Sequence, residues 1–268
     1  MSKPAELRTN DAMDHIDSSP PPASADAGPV IERLARDGFD FVAGAEMRRL
    51  LEAAGGTDWE TYAGSWDDLG PDRFMADGGT YRKRRFACFS VMEGGLAPKP
   101  PQPHFQTRDH NPLNGGVARF FEPVHDEIAF HSMNRAIMAV CFHAFVLATP
   151  ADRRPAAWHV DMHQFRIEAR SGESGQPTPE GLHRDGVDWV LVMMVGRNNV
   201  EGGVSTIADA GRRPLTTATL TAPLDASLVD DHRVFHGVSP IAAIDPSRPA
   251  HRDVLVVTFR AEPAETES

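Results

Sequence analysis

Two histidines and an aspartate have the residue types and spacing to do chemistry in this chain. They stand in Pro179-Glu-Gly-Leu-His183-Arg-Asp185-Gly and, after an apolar stretch, in Asp230-Asp-His-Arg-Val-Phe-His236-Gly-Val. On an extended strand residues i and i+2 point to the same face, so His183 and Asp185 project together. A histidine from a second strand completes two imidazoles and one carboxylate on one side of a metal. That facial set leaves coordination positions open and is the arrangement of non-haem Fe(II) oxygenases, which activate O2.

His-x-Asp triplets also arise by chance, and this chain holds a second one, His159-Val-Asp161, followed by His163. Three details favour His183. Thr178-Pro-Glu-Gly-Leu is a turn-forming run that puts the triplet at the start of a strand. Val187 to Val195 is apolar enough to cross a core. Downstream, Asp230-Asp231 again turns the chain and delivers His236 into an apolar strand. His159, Asp161 and His163 share a face and read as polar residues lining a pocket or facing solvent, with no metal role.

Arg252 is the next candidate, in Arg252-Asp-Val-Leu-Val-Val-Thr-Phe. A guanidinium fork suits a carboxylate. At the start of a strand beside the triad it can hold the distal carboxylate of 2-oxoglutarate. The Arg82-Lys83-Arg84-Arg85 run has two readings: a structural ion-pair cluster, or a source of one arginine, Arg82 or Arg84, that binds a substrate carboxylate. Gln164 and Arg166 are further substrate candidates. They alternate with His163, so only one of the two faces can look into a pocket, and the sequence leaves both open.

These segments together resemble a bacterial family of Fe(II)/2-oxoglutarate dioxygenases whose members hydroxylate free L-amino acids such as L-isoleucine. The resemblance runs in order from about residue 35 to 260. It includes Tyr81-Arg-Lys-Arg-Arg-Phe, Asn111-Pro-Leu-Asn-Gly-Gly, His163-Gln-Phe-Arg, Arg197-Asn-Asn-Val-Glu-Gly-Gly-Val-Ser and the triad and Arg252 segments. It implies a double-stranded β-helix (jelly-roll) core, His183, Asp185 and His236 as iron ligands, and Arg252 as the grip on 2-oxoglutarate. In such chemistry 2-oxoglutarate and O2 are consumed, succinate and CO2 leave, and a C–H bond gains a hydroxyl. The resemblance carries over no particular amino acid.

The elements that must position these residues follow from periodicity. Val30 to Arg36 and Ala45 to Ala54 have helical spacing, with a strand at Phe39 to Val42 between them. Tyr81 to Val91 reads as a strand, and Pro123 to Leu147 as the longest helix. From Trp158 onward the chain becomes a series of short strands: Trp158 to Ile167, Val187 to Val195, Leu215 to Thr221, Ala226 to Val229, Val234 to Ile241 and Val254 to Phe259. Glu201-Gly202-Gly203 reads as a hairpin turn, Asn111 to Gly116 as a loop over the pocket mouth, and Phe120-Phe121 as core. Strands in series without helices between them point to an antiparallel barrel or sandwich. The fold class is therefore mainly β with N-terminal helices (α+β).

Residues 1–29, rich in Ser, Pro, Ala and Asp, cannot offset their ordering entropy and read as a disordered tail. The acidic end, 263–268, reads likewise. A single domain, 30–262, remains, helical to about residue 150 and a β-helix core from about 156. The formal charge, 27 − 38 = −11, argues against binding nucleic acid or an anionic membrane. Cys88 and Cys141 have neither metal nor disulfide spacing, and no signal peptide or spanning segment is visible, which points to a cytoplasmic protein. The expected partner is a small molecule, an L-amino acid; a homo-oligomer is open. Competing readings are sulfoxidation of L-methionine or oxidation of a modified amino acid by the same site, a non-catalytic metal- or ligand-binding jelly roll, and a nucleobase demethylase, which the acidic charge disfavours.

Overall fold

The computed structural model describes residues 27–263 except Pro112, Asn114 and Ser171. Most of both expected tails lies outside the described residues. At the amino-terminal boundary the helix begins earlier than its periodicity suggests. Pro29 presets the first turn of α1 (Gly28–Asp37), and Gly38, at φ 80°, closes it with an N–H bond to the Leu34 carbonyl. Then follow β1 (Phe39–Val42), α2 (Gly44–Ala53), the short α3 (Trp59–Gly64), β2 (Gly70–Pro71), β3 (Arg82–Met92) and β4 (Gly95–Pro98).

The long helix expected from Pro123 is two helices, α4 (Asp126–Ala129) and α5 (Ser132–Ala148). The break is a capping event. His131 is extended and its ring nitrogen accepts the Met133 N–H at 3.2 Å, starting a new helix instead of continuing the old one.

The strand-rich remainder runs β5 (Ala157–Ala169), β6 (Trp189–Asn198), β7 (Val200–Gly202), β8 (Val204–Ala208), β9 (Pro214–Thr219), β10 (Ala226–Asp230), β11 (Phe235–Val238), β12 (Ile241–Ala243) and β13 (Ala250–Ala261). An eight-stranded sheet has the order β1-β10-β6-β13-β5-β3-β2, with β4 on β3; a three-stranded sheet β11-β8-β9 and the pair β12-β7 complete the jelly roll. Glu201-Gly202-Gly203 is not a hairpin turn. Gly202 and Gly203, at φ 77° and 69°, bend the chain from β7, which pairs with β12, into β8, which pairs with β11. A Cβ on Gly202 would lie 2.3 Å from the Pro240 carbonyl oxygen, so the bend requires glycine.

Alternation along the large sheet sorts core from cavity. One face of β5, β6 and β13 carries Trp158, Val160, Met162, Trp189, Leu191, Leu255, Val257 and Phe259, all buried. These pack in one cluster with Leu34 of α1, Leu50 and Leu51 of α2, and Ile137 and Phe145 of α5. Trp66, fully buried in this cluster, donates its indole N–H to the carbonyls of Phe165 and Val254. The helices thus brace the rear of the sheet, and its other face is free to line a cavity. Phe121 is half-buried against the rings of Phe74 and Phe86, outside the core cluster, and Phe120 is 66% exposed, so the pair is not core.

Candidate active site

His183 and His236 face each other across an antiparallel bridge between the Leu182–Arg184 segment and β11. Each donates its backbone N–H to the other's carbonyl, at 2.9 and 3.0 Å. The triplet does not lie inside a long strand. It occupies the turn before β6, where Gly186 adopts φ 77°. The bridge nonetheless brings both rings to the same place, with centroids 4.5 Å apart. Asp185 lies between them, its oxygens 3.6 Å from His183 Nε2 and 3.3 Å from His236 Nε2. Donor atoms of all three lie within 4.8 Å of one another.

Hydrogen bonds orient this set, which could hold a metal ion. His183 Nδ1 is 3.0 Å from the Gly181 carbonyl, which can only accept, so Nδ1 carries the proton and Nε2 is left as the donor atom. Gln106 Nε2 donates to Asp185 Oδ1 at 3.1 Å. Asp231, 2% exposed, accepts the backbone N–H groups of Asp185, Gly186 and Val187 at 3.0, 2.7 and 3.1 Å. Its Oδ1 is also 3.8 Å from His236 Nδ1. Burial by itself would raise the Asp185 carboxyl, but the two imidazoles outweigh it and hold it well below the usual carboxylate range. Burial opposes charge on His183, yet Asp185 and Glu180 push its pKa up to about 9. A site that concentrates an anion between two imidazoles favours a divalent cation.

The triad opens into a cavity of about 300 Å³, a size for small ligands. Its floor is the free face of the large sheet, where Ile167, Phe165 and His163 of β5 stand beside Arg252, Val254 and Val256 of β13. Arg252 is 1% exposed, and its Nε and Nη2 have no hydrogen-bond partner among the described residues. Burial pulls its pKa down to about 10. A buried guanidinium with unpaired donors, turned into a cavity, is an unfinished anion site. Strand β13 begins at Ala250, so Arg252 is its third residue and not its first.

A model of the 2OG-Fe dioxygenase family matches residues 63–258. The chain belongs to this family. Fe(II), 2-oxoglutarate and O2 are the family's cofactor and co-substrates, and the chemistry of the donor set and the unpaired Arg252 fit them. Among curated proteins, the 3(1)-hydroxy-L-isoleucine 4-dioxygenase of Pantoea ananatis (strain AJ13355) is 27% identical over 242 residues, which is 87% of this chain and 96% of that protein. Among solved structures, a bsmA homologue from Methylobium petroleophilum PM1 is 35% identical with a TM-score of 0.78, over 90% of this chain and 95% of that one. IDO from Bacillus thuringiensis shares the fold, with TM-score 0.72 and 20% identity over 87% of this chain and 98% of that one.

In this dioxygenase the basic run divides by strand alternation. Arg82 and Arg84 face the cavity. Lys83 pairs with Glu168, and Arg85 binds Asp68 and the Pro123 carbonyl. Asp72 anchors the two cavity arginines, at 2.7 Å from Arg82 Nε and 3.5 Å from Arg84 Nη1. The Arg84 guanidinium sits over the rings of Phe121 and Phe165, at 3.5 and 4.5 Å, and its Nη2 donates to His163 Nδ1 at 2.6 Å. Burial, with the charges of Arg84 and His104 beside it, holds His163 far below its ordinary pKa and keeps it neutral.

Gln164 and Arg166 face away from the cavity and are removed from the substrate candidates. Gln164 donates to the Ser65 hydroxyl, and Arg166 pairs with Asp253 and Asp67. It is the His163 face that looks inward, which the alternation alone left open. Asp161 and His163 do line the cavity, His159 does not, and His104, Asp161 and His163 also bring donor atoms within 4.8 Å of one another. Those atoms are already engaged. Asp161 is held by Cys88, His159 and His104, and His163 Nδ1 by Arg84. The guanidinium there disfavours a cation.

Sequence reasoning missed Gln106, Arg119, Glu180 and Asp231. Arg119 donates to Gln106 Oε1 at 3.0 Å, as does Asn111 at 3.1 Å, and all three line the cavity beside His104 and Thr107. Of the loop expected over the mouth, Asn111 lines the cavity, and Pro112 and Asn114 lie outside the described residues. No periodicity marks this segment. Glu180 and Asp231 were within the quoted motifs but had no partner visible in sequence. No helix among the described residues is long and apolar enough to cross a membrane.

Proposed function

We propose that the protein hydroxylates the side chain of a free aliphatic L-amino acid, with His183, Asp185 and His236 holding Fe(II) and Arg252 holding 2-oxoglutarate. The observation that carries this reading is the buried, unpaired Arg252 fork in the same cavity as the triad. A cavity of about 300 Å³ accords with a small substrate such as a free amino acid. The curated relative, which by its name acts on hydroxy-L-isoleucine, supports an aliphatic amino acid.

Bound iron and its co-substrates supply the oxidising chemistry, coupling decarboxylation of 2-oxoglutarate to insertion of oxygen into a C–H bond. The chain's residues orient and enclose. Arg252 takes the distal carboxylate through its free Nε and Nη2. Arg82 and Arg84 are the candidate holders of the substrate carboxylate: Arg84 is fixed by Phe121, Phe165 and His163 and has a buried Nε without a partner among the described residues. Val190, Val192 and Val256 give the aliphatic side chain an apolar wall. No side-chain general base is required. The two free, buried cysteines accord with a cytoplasmic setting.

The test is succinate release with Fe(II), ascorbate, 2-oxoglutarate and O2 across the L-amino acids singly, methionine included. Succinate matched by an amino acid one oxygen heavier is the expected result, and Asp185→Ala should abolish both. Oxidised methionine alone would replace hydroxylation by sulfoxidation. Retained turnover in Asp185→Ala would reject the ligand assignment.

A further inference from the structure

A free amino acid carries a carboxylate and an ammonium on one carbon, so a site built for it needs an anion close to its guanidinium groups. The cavity wall offers Asp161, Asp185 and Glu180. Asp185 belongs to the metal set. Asp161 is spent on protein partners: Cys88 and His159 bond its Oδ1, and His104 its Oδ2. Glu180 is different. Among the described residues its one close partner is His183, with Oε1 3.6 Å from Nε2, beyond hydrogen-bond length. Nε2 is the atom His183 turns to the metal, so in the loaded enzyme it has no proton to give Glu180.

The Glu180 side chain is 13% exposed and faces the cavity. An anion so enclosed calls for a cation. Arg82, Arg84 and Arg119 line the same cavity, the last close enough for the Glu180 charge to support its own. Buried Nε atoms of Arg84 and Arg119 lack partners among the described residues. Unspent donors and a carboxylate without a hydrogen-bond partner among the described residues, in one cavity, make a complement to a zwitterion.

We propose that Glu180 binds the substrate's α-ammonium group and makes the site selective for amino acids with a free amine, an inference that rests on the amino acid reading above. Glu180 is then a specificity residue one turn of chain before the first metal ligand. It ties recognition of the amine to the position of the metal.

The probes are L-isoleucine and 2-hydroxy-3-methylpentanoate, which keeps the carboxylate and side chain and replaces the amine by a hydroxyl. Both are titrated calorimetrically into the full-length protein loaded with redox-silent Mn(II) and 2-oxoglutarate, as wild type and as Glu180→Gln. The wild type should prefer L-isoleucine. Glu180→Gln should weaken L-isoleucine about tenfold or more, equivalent to ~1.4 kcal/mol, and leave the hydroxy acid within about twofold. Mn(II) affinity should not change. Equal or absent binding of the two probes by the wild type, equal weakening of both by the substitution, or lost Mn(II) would each overturn the assignment. The amino acid reading itself fails elsewhere, as no oxidised amino acid from the wild type in the succinate assay.

Discussion

At the scale of single residues, the second aspartate of the Asp230-Asp231 pair does what neither histidine can do for itself. The backbone of Asp185, Gly186 and Val187 turns sharply, and its three N–H groups converge on one buried carboxylate instead of joining a strand. Because Asp231 precedes β11, the same side chain couples that turn to the strand delivering His236. Asp231→Asn keeps the volume but sets an amide N–H against backbone N–H groups. Outer partners of metal ligands usually contribute about 10- to 100-fold in metal affinity. Asp231→Asn is therefore expected to weaken Mn(II) or Co(II) binding by about that factor and to alter the Co(II) absorption spectrum. An unchanged spectrum with only a lowered melting temperature would make Asp231 a brace of the fold and nothing more.

At the scale of elements, the inward face of β3 depends on one buried acid. Asp72, immediately after β2, takes Arg82 and Arg84 and accepts the Phe74 N–H at 2.9 Å. Burial alone would raise its carboxyl, but the two guanidinium groups outweigh that and lower it. A carboxyl lowered in the folded state contributes stability that is complete above the ordinary carboxylate value of about 4 and is lost as pH falls through the lowered one. Asp72→Asn is expected to cost about 3 kcal/mol near neutral pH, as breaking a buried pair does. Urea melts at stepped pH should show that cost shrinking on the acid side; a cost independent of pH would remove the ionic explanation. The alternation of β3 was legible, since any strand puts Arg82 and Arg84 on one face and Lys83 and Arg85 on the other. Which face looks inward was not, because that depends on pairing with β5, a partner some eighty residues away in sequence whose own orientation was open. That His183, Asp185, His236 and Arg252 gather at one cavity was legible because turn residues and apolar runs flank them on the chain. Gln106 and Arg119 were not, because their roles arise only where an irregular segment crosses the sheet. The break at His131 was hidden for a related reason: a capping side chain leaves apolar spacing intact on both sides of it.

For the whole molecule, the cavity is a store of uncompensated charge. Arg84, Arg119 and Arg252 are buried with nitrogen atoms unpaired among the described residues, and burial lowers the pKa of each. Folding without ligands therefore bears a desolvation cost that Asp72 offsets in part at Arg84 and that an incoming anion would relieve at Arg252. Three consequences distinguish a ligand site from a structural one. Adding 2-oxoglutarate with Mn(II) at about a hundred times its dissociation constant should stabilise the protein by about 2.7 kcal/mol, a rise in melting temperature of roughly 5–10 °C for a chain of this size. Replacing Arg252 by methionine, similar in length and apolar, should remove the part of this rise that depends on 2-oxoglutarate and leave that due to Mn(II). The same substitution should leave the ligand-free melting temperature equal to or above that of the wild type, since exchanging a buried unpaired charge for an apolar side chain is neutral or stabilising. Differential scanning fluorimetry of the two proteins, each with and without Mn(II) and 2-oxoglutarate, reads all of these terms. A ligand-free Arg252→Met protein that melts well below the wild type would mean that Arg252 supports the fold, and a full 2-oxoglutarate shift in that variant would mean that the co-substrate's carboxylate is held elsewhere.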